Sequence, residues 1–212
     1  MVEFEQFGWN WVTFGFIGAM ATALLGFWGI IEQNRTIWKT KSGHSVSVLM
    51  FSYGMLYFTA GCVYGVTICS LALIVMVVRV LLQIPLLIGL WKFKGFRLWE
   101  TALSALFLVA LAAMIVLPHK DIFYFVISIG AIISFVPQPV EMLVNHSRGA
   151  MNVSFLWVTV IGVAFWSVYS IAIHDWVLSI ANPVFLLFVI ASIIIWYAMP
   201  PAKTEIADDR AA

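Results

Sequence analysis

Seven long apolar runs, separated by short polar segments, occupy most of this chain of 212 residues. They cover residues about 11–31, 45–66, 70–91, 98–117, 122–142, 153–173 and 177–198. A helix needs about 20 mostly apolar residues to cross the hydrocarbon core of a bilayer. Helices and closed barrels are the two structures that satisfy their backbone groups there. The runs therefore predict an all-α membrane protein with seven transmembrane helices.

The composition leads to the same class of protein. Hydrophobic residues make up 63% of the chain and charged residues 10%, whereas a soluble domain carries about 25% charged residues. We therefore expect the lipid bilayer to surround the chain. The net charge of +1 gives no reason to expect a nucleic-acid partner. Cys62 and Cys69 are expected to be small buried hydrophobes.

The basic residues fall on one side of the predicted topology. With the N-terminus outside, only Lys120 lies in an outer segment, while nine basic residues lie in cytoplasmic ones. These nine are Arg35, Lys39, Lys41, Lys92, Lys94, Arg97, Arg148, Lys203 and Arg210. The positive-inside rule then predicts a multi-pass protein with an outer N-terminus and a cytoplasmic C-terminus, in the plasma (inner) membrane. The first ten residues contain no Lys or Arg, so we expect the first run to be a retained span.

Two parts of the chain, residues 1–95 and 120–200, can be aligned with each other. At an offset of 105 residues Gln33 meets Gln138, Tyr64 meets Tyr169 and Trp91 meets Trp196. Each unit has three spans, with a long polar loop after the first and a tight turn after the second. Residues 96–119 match neither unit and are predicted to form a linker helix, followed after the second unit by a cytoplasmic tail, 201–212. One intervening span gives both units the same orientation, which predicts a 3+1+3 chain of parallel repeats.

The second unit carries a recurring pattern of residues. Pro137-Gln138-Pro139 ends its first span, Val153-Ser154 opens the second, and Asn182 lies sixteen residues after the Trp166 of a W-x-x-Y sequence. In this the chain resembles the PQ-loop repeat of the SWEET and SemiSWEET sugar transporters (MtN3/saliva type), over about residues 11–198. The first unit resembles it less closely. SWEETs are themselves a standard example of parallel triple-helix-bundle repeats, so this architecture also comes with the resemblance.

The resemblance implies a membrane transporter of small polar solutes, sugars first, that works by alternating access between the two repeats. No nucleotide motif occurs and no carboxylate lies in mid-span, which favours facilitated diffusion. Two alternatives stay open: a PQ-loop transporter of amino acids or organic anions, and a seven-helix sorting receptor or sensor on the same fold. One chain with two units can enclose a pathway, so homo-oligomerisation is left open as well.

No enzymatic chemistry is expected of the chain. No catalytic pair shares a span, and neither a phosphate-binding loop nor a nucleophile motif occurs. The four histidines fall in loops without metal-ligand spacing. We therefore expect no catalytic residues, no cofactor and no metal site.

Trp166 and Asn182 are the candidate solute-binding residues of the second unit. An indole offers a flat surface to the C–H face of a sugar and an amide hydrogen-bonds its oxygens, and the resemblance places both residues in the family's pocket. Other readings are open: the Trp packs or belongs to the interfacial belt, and the Asn caps its own helix before Pro183. In the first unit Gly61 aligns with Trp166 and Val77 with Asn182, so the two halves are not expected to offer the same contacts.

Arg79 and Gln83 lie one turn apart in the third predicted span. A charged residue in mid-span is costly and normally faces a cavity or a partner, and residues four apart share a helical face. One hypothesis is that Arg79 lines the central cavity and binds an oxygen-rich or anionic substrate with Gln83. In the other, Arg79 hydrogen-bonds backbone carbonyls, snorkels outward or pairs with Asp175.

Pro137 and Gln138 are candidate hinge residues. Proline removes a helical hydrogen bond and bends the helix, so the kink either moves as a gate or only marks the helix end. The first unit has Glu32-Gln33 at the aligned position, so a hinge at Gln33 is not expected unless Gly26 and Gly29 supply bending. Tyrosines near the outer ends form a candidate gate, or else pack: Tyr53, Tyr57, Tyr64 and Tyr169.

Overall fold

The computed structural model describes residues 1–43, 46–144, 146 and 153–200, and in these residues it contains helices and their connections without a strand. In chain order the helices are α1 (Val2–Glu5), α2 (Trp11–Thr40), α3 (Val48–Thr67), α4 (Leu71–Val75), α5 (Val77–Phe93), α6 (Leu98–Val116), α7 (Lys120–Ile133), α8 (Pro137–Val144), α9 (Val153–Ala172) and α10 (Trp176–Ala198). The predicted tail, 201–212, lies outside the described residues.

Five helices of the described part are long and apolar enough to cross a membrane. They are Trp11–Thr40, Val48–Thr67, Leu71–Phe93 (α4 with α5), Leu98–Val116 and Trp176–Ala198. Large apolar side chains cover much of the outside of these helices, as a lipid environment requires. The chain is therefore a multi-pass integral membrane protein. The other two predicted spans correspond to α7 with α8 and to α9, whose apolar stretch Leu156–Ala172 is shorter.

The predicted span 122–142 is broken rather than continuous. It consists of α7, 14 residues, and α8, 8 residues, joined by a turn at residues 134–136. The carbonyl of Ile133, which Pro137 cannot serve, accepts a hydrogen bond of 3.0 Å from the N–H of Val136. Helix α7 thus ends at Ile133, one turn before Pro137, where a shorter bond replaces the one that proline removes.

The aligned region of the first unit has no such break. Helix α2 runs for 30 residues through Glu32 and Gln33, which corresponds to a length of about 45 Å. The third predicted span does break, at Met76 between α4 and α5. The first helices of the two predicted units therefore differ in continuity.

The helices form two groups that contact each other crosswise. In the first group α5 packs against α2 and α3, and in the second α10 packs against α7, α8 and α9. Between the groups, α2 packs against α9 and α3 against α7. Helix α6 contacts α3 and α7 and buries only Glu100 and Met114, so it lies at the periphery.

Two tight turns, 68–70 and 173–175, have the same backbone geometry. Cys69 and His174 occupy equivalent positions with φ of 54° and 55°, a left-handed conformation that is uncommon outside glycine. The N–H of Ser70 bonds the carbonyl of Gly65 at 2.8 Å, and that of Asp175 bonds Ser170 at 3.3 Å. Cys69 is exposed rather than buried as expected, because it forms the tip of its turn. Both turns lie at the end of the bundle that carries α1, which we call the α1 end.

Candidate functional site

Trp166 and Asn182 lie together in the structure. The side-chain nitrogen of Asn182 in α10 donates a hydrogen bond of 3.4 Å to the backbone carbonyl of Trp166 in α9. Asn182 is buried. The Trp166 ring packs edge-on against Tyr169 at 5.9 Å and touches buried clusters built from both helix groups. The Asn182 amide therefore bonds a neighbouring helix, and the Trp166 ring packs against the interior of the bundle.

Gly61, which aligns with Trp166, faces a large residue of the other group. A Cβ at Gly61 would lie 3.2 Å from the hydroxyl oxygen of Tyr124 in α7. The Tyr124 ring stacks on Tyr64 with centroids 4.9 Å apart and on Tyr57 at 5.8 Å. Tyr124 thus occupies the space beside Gly61, and sequence reasoning did not select it. Tyr53, in the same helix as Tyr57, donates a 2.6 Å hydrogen bond to the carbonyl of Ile127 in α7.

Val77, the residue aligned with Asn182, does not join this site. It begins α5 and is 43% exposed, outside the buried clusters around Trp166. Arg79 and Gln83, further along α5, are directed at α3: the Arg79 guanidinium carbon lies 4.3 Å from the centroid of the Phe58 ring. The Gln83 amide nitrogen lies 2.9 Å from where a Cβ of Gly54 would be.

The first polar contact at the α1 end joins Tyr64 to Asp175. The hydroxyl of Tyr64 in α3 donates a hydrogen bond of 2.6 Å to Asp175. The other oxygen of the Asp175 carboxylate accepts from the N–H of Leu178 at 2.8 Å and so caps α10. Asp175 is therefore not the partner of Arg79.

The second polar contact joins Tyr169 to Ser70 and Glu3. The hydroxyl groups of Tyr169 and Ser70 lie 2.7 Å apart, and Tyr169 donates a hydrogen bond to Glu3 at 2.5 Å. The Glu3 carboxylate comes from α1 and also accepts from the N–H groups of Leu71 and Ala72, both at 3.0 Å. Glu3 is buried despite its charge, and these hydrogen bonds compensate for its lost hydration.

The hydrogen bonds of Glu3 also act on its ionisation. Burial raises the pKa of Glu3, but the bonds from Tyr169 and from the N–H groups of Ala72 and Leu71 together lower it more. The pKa of Glu3 therefore lies below its ordinary value of 4.5. Glu3 is a carboxylate at neutral pH.

The two contacts close the α1 end. Each joins a tyrosine of one helix group to the turn before the third helix of the other group, so the groups cannot separate there without breaking both. Sequence reasoning missed Glu3 and Ser70. Laying Asp175 over Ser70 at the repeat offset of 105 residues would have found Ser70, but no local pattern of α1 indicates where Glu3 binds.

Helices α2 and α9 form a close seam beside these contacts. A Cβ at Gly15 would lie 2.6 Å from the backbone nitrogen of Tyr169, and one at Gly18 would overlap the Phe165 ring. Real Cβ atoms essentially never come within 3.0 Å of a heavy atom that is not close to them in the chain. Glycine is therefore required at both positions for the two helices to approach this closely.

The remaining candidate residues and two pockets lie elsewhere. Gln33 is half-buried in the unbroken α2, whereas Pro137 and Gln138 begin α8. A pocket of about 240 Å³ lies between the start of α2 and Phe165. Another of about 360 Å³ lies between α2 and α5 and includes Asn34. Neither pocket is lined by Trp166 or Asn182.

The fold is similar to that of a known membrane transporter. A solved structure of a eukaryotic SWEET transporter superposes with a TM-score of 0.69, covering 87% of this chain and 94% of that one, at 17% sequence identity. No protein-family model and no curated protein sequence matches the chain. The chain therefore has a SWEET-like fold, and the likeness at this identity extends to the fold alone.

Proposed function

We propose that this chain is a transporter of small polar solutes, with sugars as the first class, that works by alternating access. Two three-helix units, 1–95 and 120–200, would move relative to each other around a site at Trp166 and Asn182. The linker, 96–119, joins them, and the tail, 201–212, follows. In this proposal the chain crosses the membrane seven times and α7, α8 and α9 supply the fifth and sixth crossings.

Three observations support the arrangement of two parallel units. The turns at Cys69 and His174 share one backbone geometry at the repeat offset. The two helix groups contact each other crosswise, first helix on second helix in both directions. The SWEET-like fold supports the same organisation. In this proposal the α1 end is the outer one, which the distribution of basic residues supports, and the described state is closed to the outside.

The observation that carries the proposal is the position of Trp166 and Asn182. The Asn182 amide bonds the backbone carbonyl of Trp166, and the Trp166 indole packs against buried clusters from both helix groups, beside the closed α1 end. The hydrogen bond from Asn182 to the Trp166 carbonyl comes from a side chain and is not part of the backbone bonding of either helix. The amide can therefore exchange it for a hydrogen bond to a sugar hydroxyl. The break before Pro137 lies at the opposite end, where a hinge would open the inner side.

Solute flux tests this proposal. We expect purified protein in liposomes to exchange radiolabelled glucose against internal glucose, and Trp166→Ala and Asn182→Ala each to reduce this exchange strongly. The matched control is Trp99→Ala, which removes a half-exposed indole from the peripheral α6 and is expected to leave exchange unchanged. Stabilisation of the folded protein by glucose without any exchange would contradict the carrier and favour the sorting receptor or sensor.

A further inference from the structure

Among the described residues, Arg79 has neither a hydrogen-bond partner nor an ion-pair partner. Its Nε is buried without a hydrogen bond, and in the described part of the chain the guanidinium forms neither a hydrogen bond nor an ion pair. The guanidinium makes a cation–π contact with the face of Phe58, with 4.3 Å from its carbon to the ring centroid. Neither the carbonyl-bonding reading nor the pairing with Asp175 is therefore observed. A charge in this position is costly unless it faces a cavity or a ligand.

Gln83 repeats this feature one turn further along α5. The side chain is 2% exposed, and its Oε1 atom has no hydrogen-bond partner. Buried polar atoms are nearly always satisfied, so an unpartnered donor and an unpartnered acceptor on one face of one helix need a common explanation. Residues four apart have Cβ atoms about 5–6 Å apart, a spacing that one small molecule can bridge.

Two glycines leave room for these side chains. A Cβ at Gly26 in α2 would lie 2.9 Å from the Nη1 atom of Arg79, and a Cβ at Gly54 in α3 would lie 2.9 Å from the Gln83 amide nitrogen. The ends of both side chains thus lie directly against a glycine. The site is thus bounded by α2, α3 and α5 within the first helix group.

An aromatic surface connects this site to Trp166. Phe58 meets Tyr57 edge-on with centroids 5.0 Å apart, and Tyr57 stacks on Tyr124 at 5.8 Å. Trp166 packs against the cluster that contains Tyr124. These ring contacts run without interruption from the Arg79 guanidinium to the cluster beside Trp166.

We propose that Arg79 and Gln83 form an anion-selective part of the solute site, which binds a polyhydroxylated monocarboxylate such as a sugar acid. The guanidinium donates paired hydrogen bonds to a carboxylate. The Gln83 Oε1 atom accepts from a hydroxyl a few carbon atoms away. The aromatic rings take the C–H face of the same molecule. This inference rests on the proposed transport function and narrows its substrate to an anionic sugar derivative.

Exchange of gluconate, glucose and sorbitol by the wild-type protein in liposomes tests the inference without any substitution. Sorbitol differs from gluconate in having a hydroxymethyl group in place of the carboxylate. We expect gluconate to be exchanged at least about tenfold more efficiently than sorbitol, the range expected for a hydrogen bond to a charged group. Exchange of glucose and sorbitol without any preference for gluconate would overturn this inference, while the proposed transport function would stand. No exchange of any of the three would overturn both.

Arg79→Gln then assigns the effect to the residue. We expect this variant to lose gluconate exchange about ten- to hundredfold while keeping glucose exchange. Its melting temperature without solute should not fall, because no protein contact of the guanidinium except that with Phe58 is lost. The matched control is Arg35→Gln, which removes an exposed guanidinium paired with Glu32 and should leave gluconate exchange intact. A lower melting temperature with gluconate exchange retained would show a structural role and overturn the assignment.

Discussion

The two polar contacts at the α1 end occupy the same positions in the two helix groups but are built differently. Tyr64 bonds directly to the carboxylate of Asp175, which caps the next helix itself. Tyr169 faces Ser70, and the carboxylate comes from Glu3 on α1. Both tyrosine hydroxyls thus donate a hydrogen bond to a carboxylate. The turn of the first unit has Ser70 where the second has Asp175, and the carboxylate of Glu3 in α1 takes the place of the missing one.

The two seams between the helix groups differ as well. In the seam between α2 and α9, Gly15 meets the backbone of Tyr169 and Gly18 meets the Phe165 ring. Helices α3 and α7 meet through rings, with Tyr124 beside Gly61. The backbone that Gly15 meets cannot move aside for added volume, whereas the end of a side chain, such as the Tyr124 hydroxyl, can shift. We therefore expect substitutions at the first seam to have the larger effect.

The largest effect is expected for Gly15→Ala. Its Cβ would lie 2.6 Å from the Tyr169 backbone nitrogen, and overpacking of this kind costs about 3 kcal/mol of folding free energy. Gly29→Ala is the matched control in the same helix, because nothing lies within 4 Å of its Cβ. In detergent, the melting temperature of Gly15→Ala should be far below that of the wild-type protein, and that of Gly29→Ala should be unchanged. Equal stability of the two would contradict the close seam.

A smaller loss is expected for Glu3→Ala, which leaves Tyr169 and the start of α4 without a carboxylate. Hydrogen bonds to a charged group contribute about 1.5–3 kcal/mol, so we expect a destabilisation of about 2 kcal/mol. Adding Ser70→Asp to this variant should restore much of the loss, because the new residue reproduces Asp175. If the second substitution instead lowers stability further, the two contacts are not equivalent.

The ionisation of Glu3 adds a pH dependence of smaller size. Because its pKa is lowered on folding from 4.5, the folded state gains stability that is complete above the ordinary value and is lost as the pH falls through the lowered one. Comparing melts at pH 7 and at pH 3.5, we expect the wild-type protein to lose more stability than Glu3→Gln. The same loss in both proteins would show that other carboxylates dominate.

The smallest effect is expected for Gly61→Ala at the aromatic seam. The Tyr124 hydroxyl at 3.2 Å has to move only by a few tenths of an ångström, and the gain in helix propensity, about 1 kcal/mol, offsets the cost. The free energy of unfolding should therefore change by less than about 1 kcal/mol. A loss as large as that of Gly15→Ala would remove the distinction between the seams.

Local patterns in the sequence were enough for several features. Apolar runs located the helices, the Pro137 motif located a break, and spacing placed Arg79 and Gln83 on one face. Asn182 and Trp166 also lie together, and the solute pocket that the resemblance implied for them stays a prediction. Each of these depends on residues close in the chain or on a known repeat.

The missing features depend on contacts between distant segments. Glu3 reaches Ser70 and Tyr169 only because α1 folds onto the bundle, and no period in the sequence encodes that. Tyr124 lies beside Gly61 because of the register between α3 and α7. The break at Met76 carries no proline or glycine signal, since Met76 is flanked by Val75 and Val77.

Bridging the α1 end tests most directly whether the two units separate there during transport. The variant carries Tyr64→Cys and Asp175→Cys, and its native cysteines are removed by Cys62→Ala and Cys69→Ala. A short, reducible bis-thiosulfonate reagent would join the two introduced thiols. We predict that the bridged protein loses glucose and gluconate exchange and that reduction restores it, while single-cysteine controls keep exchange throughout. Full exchange by the bridged protein would contradict the alternating-access account.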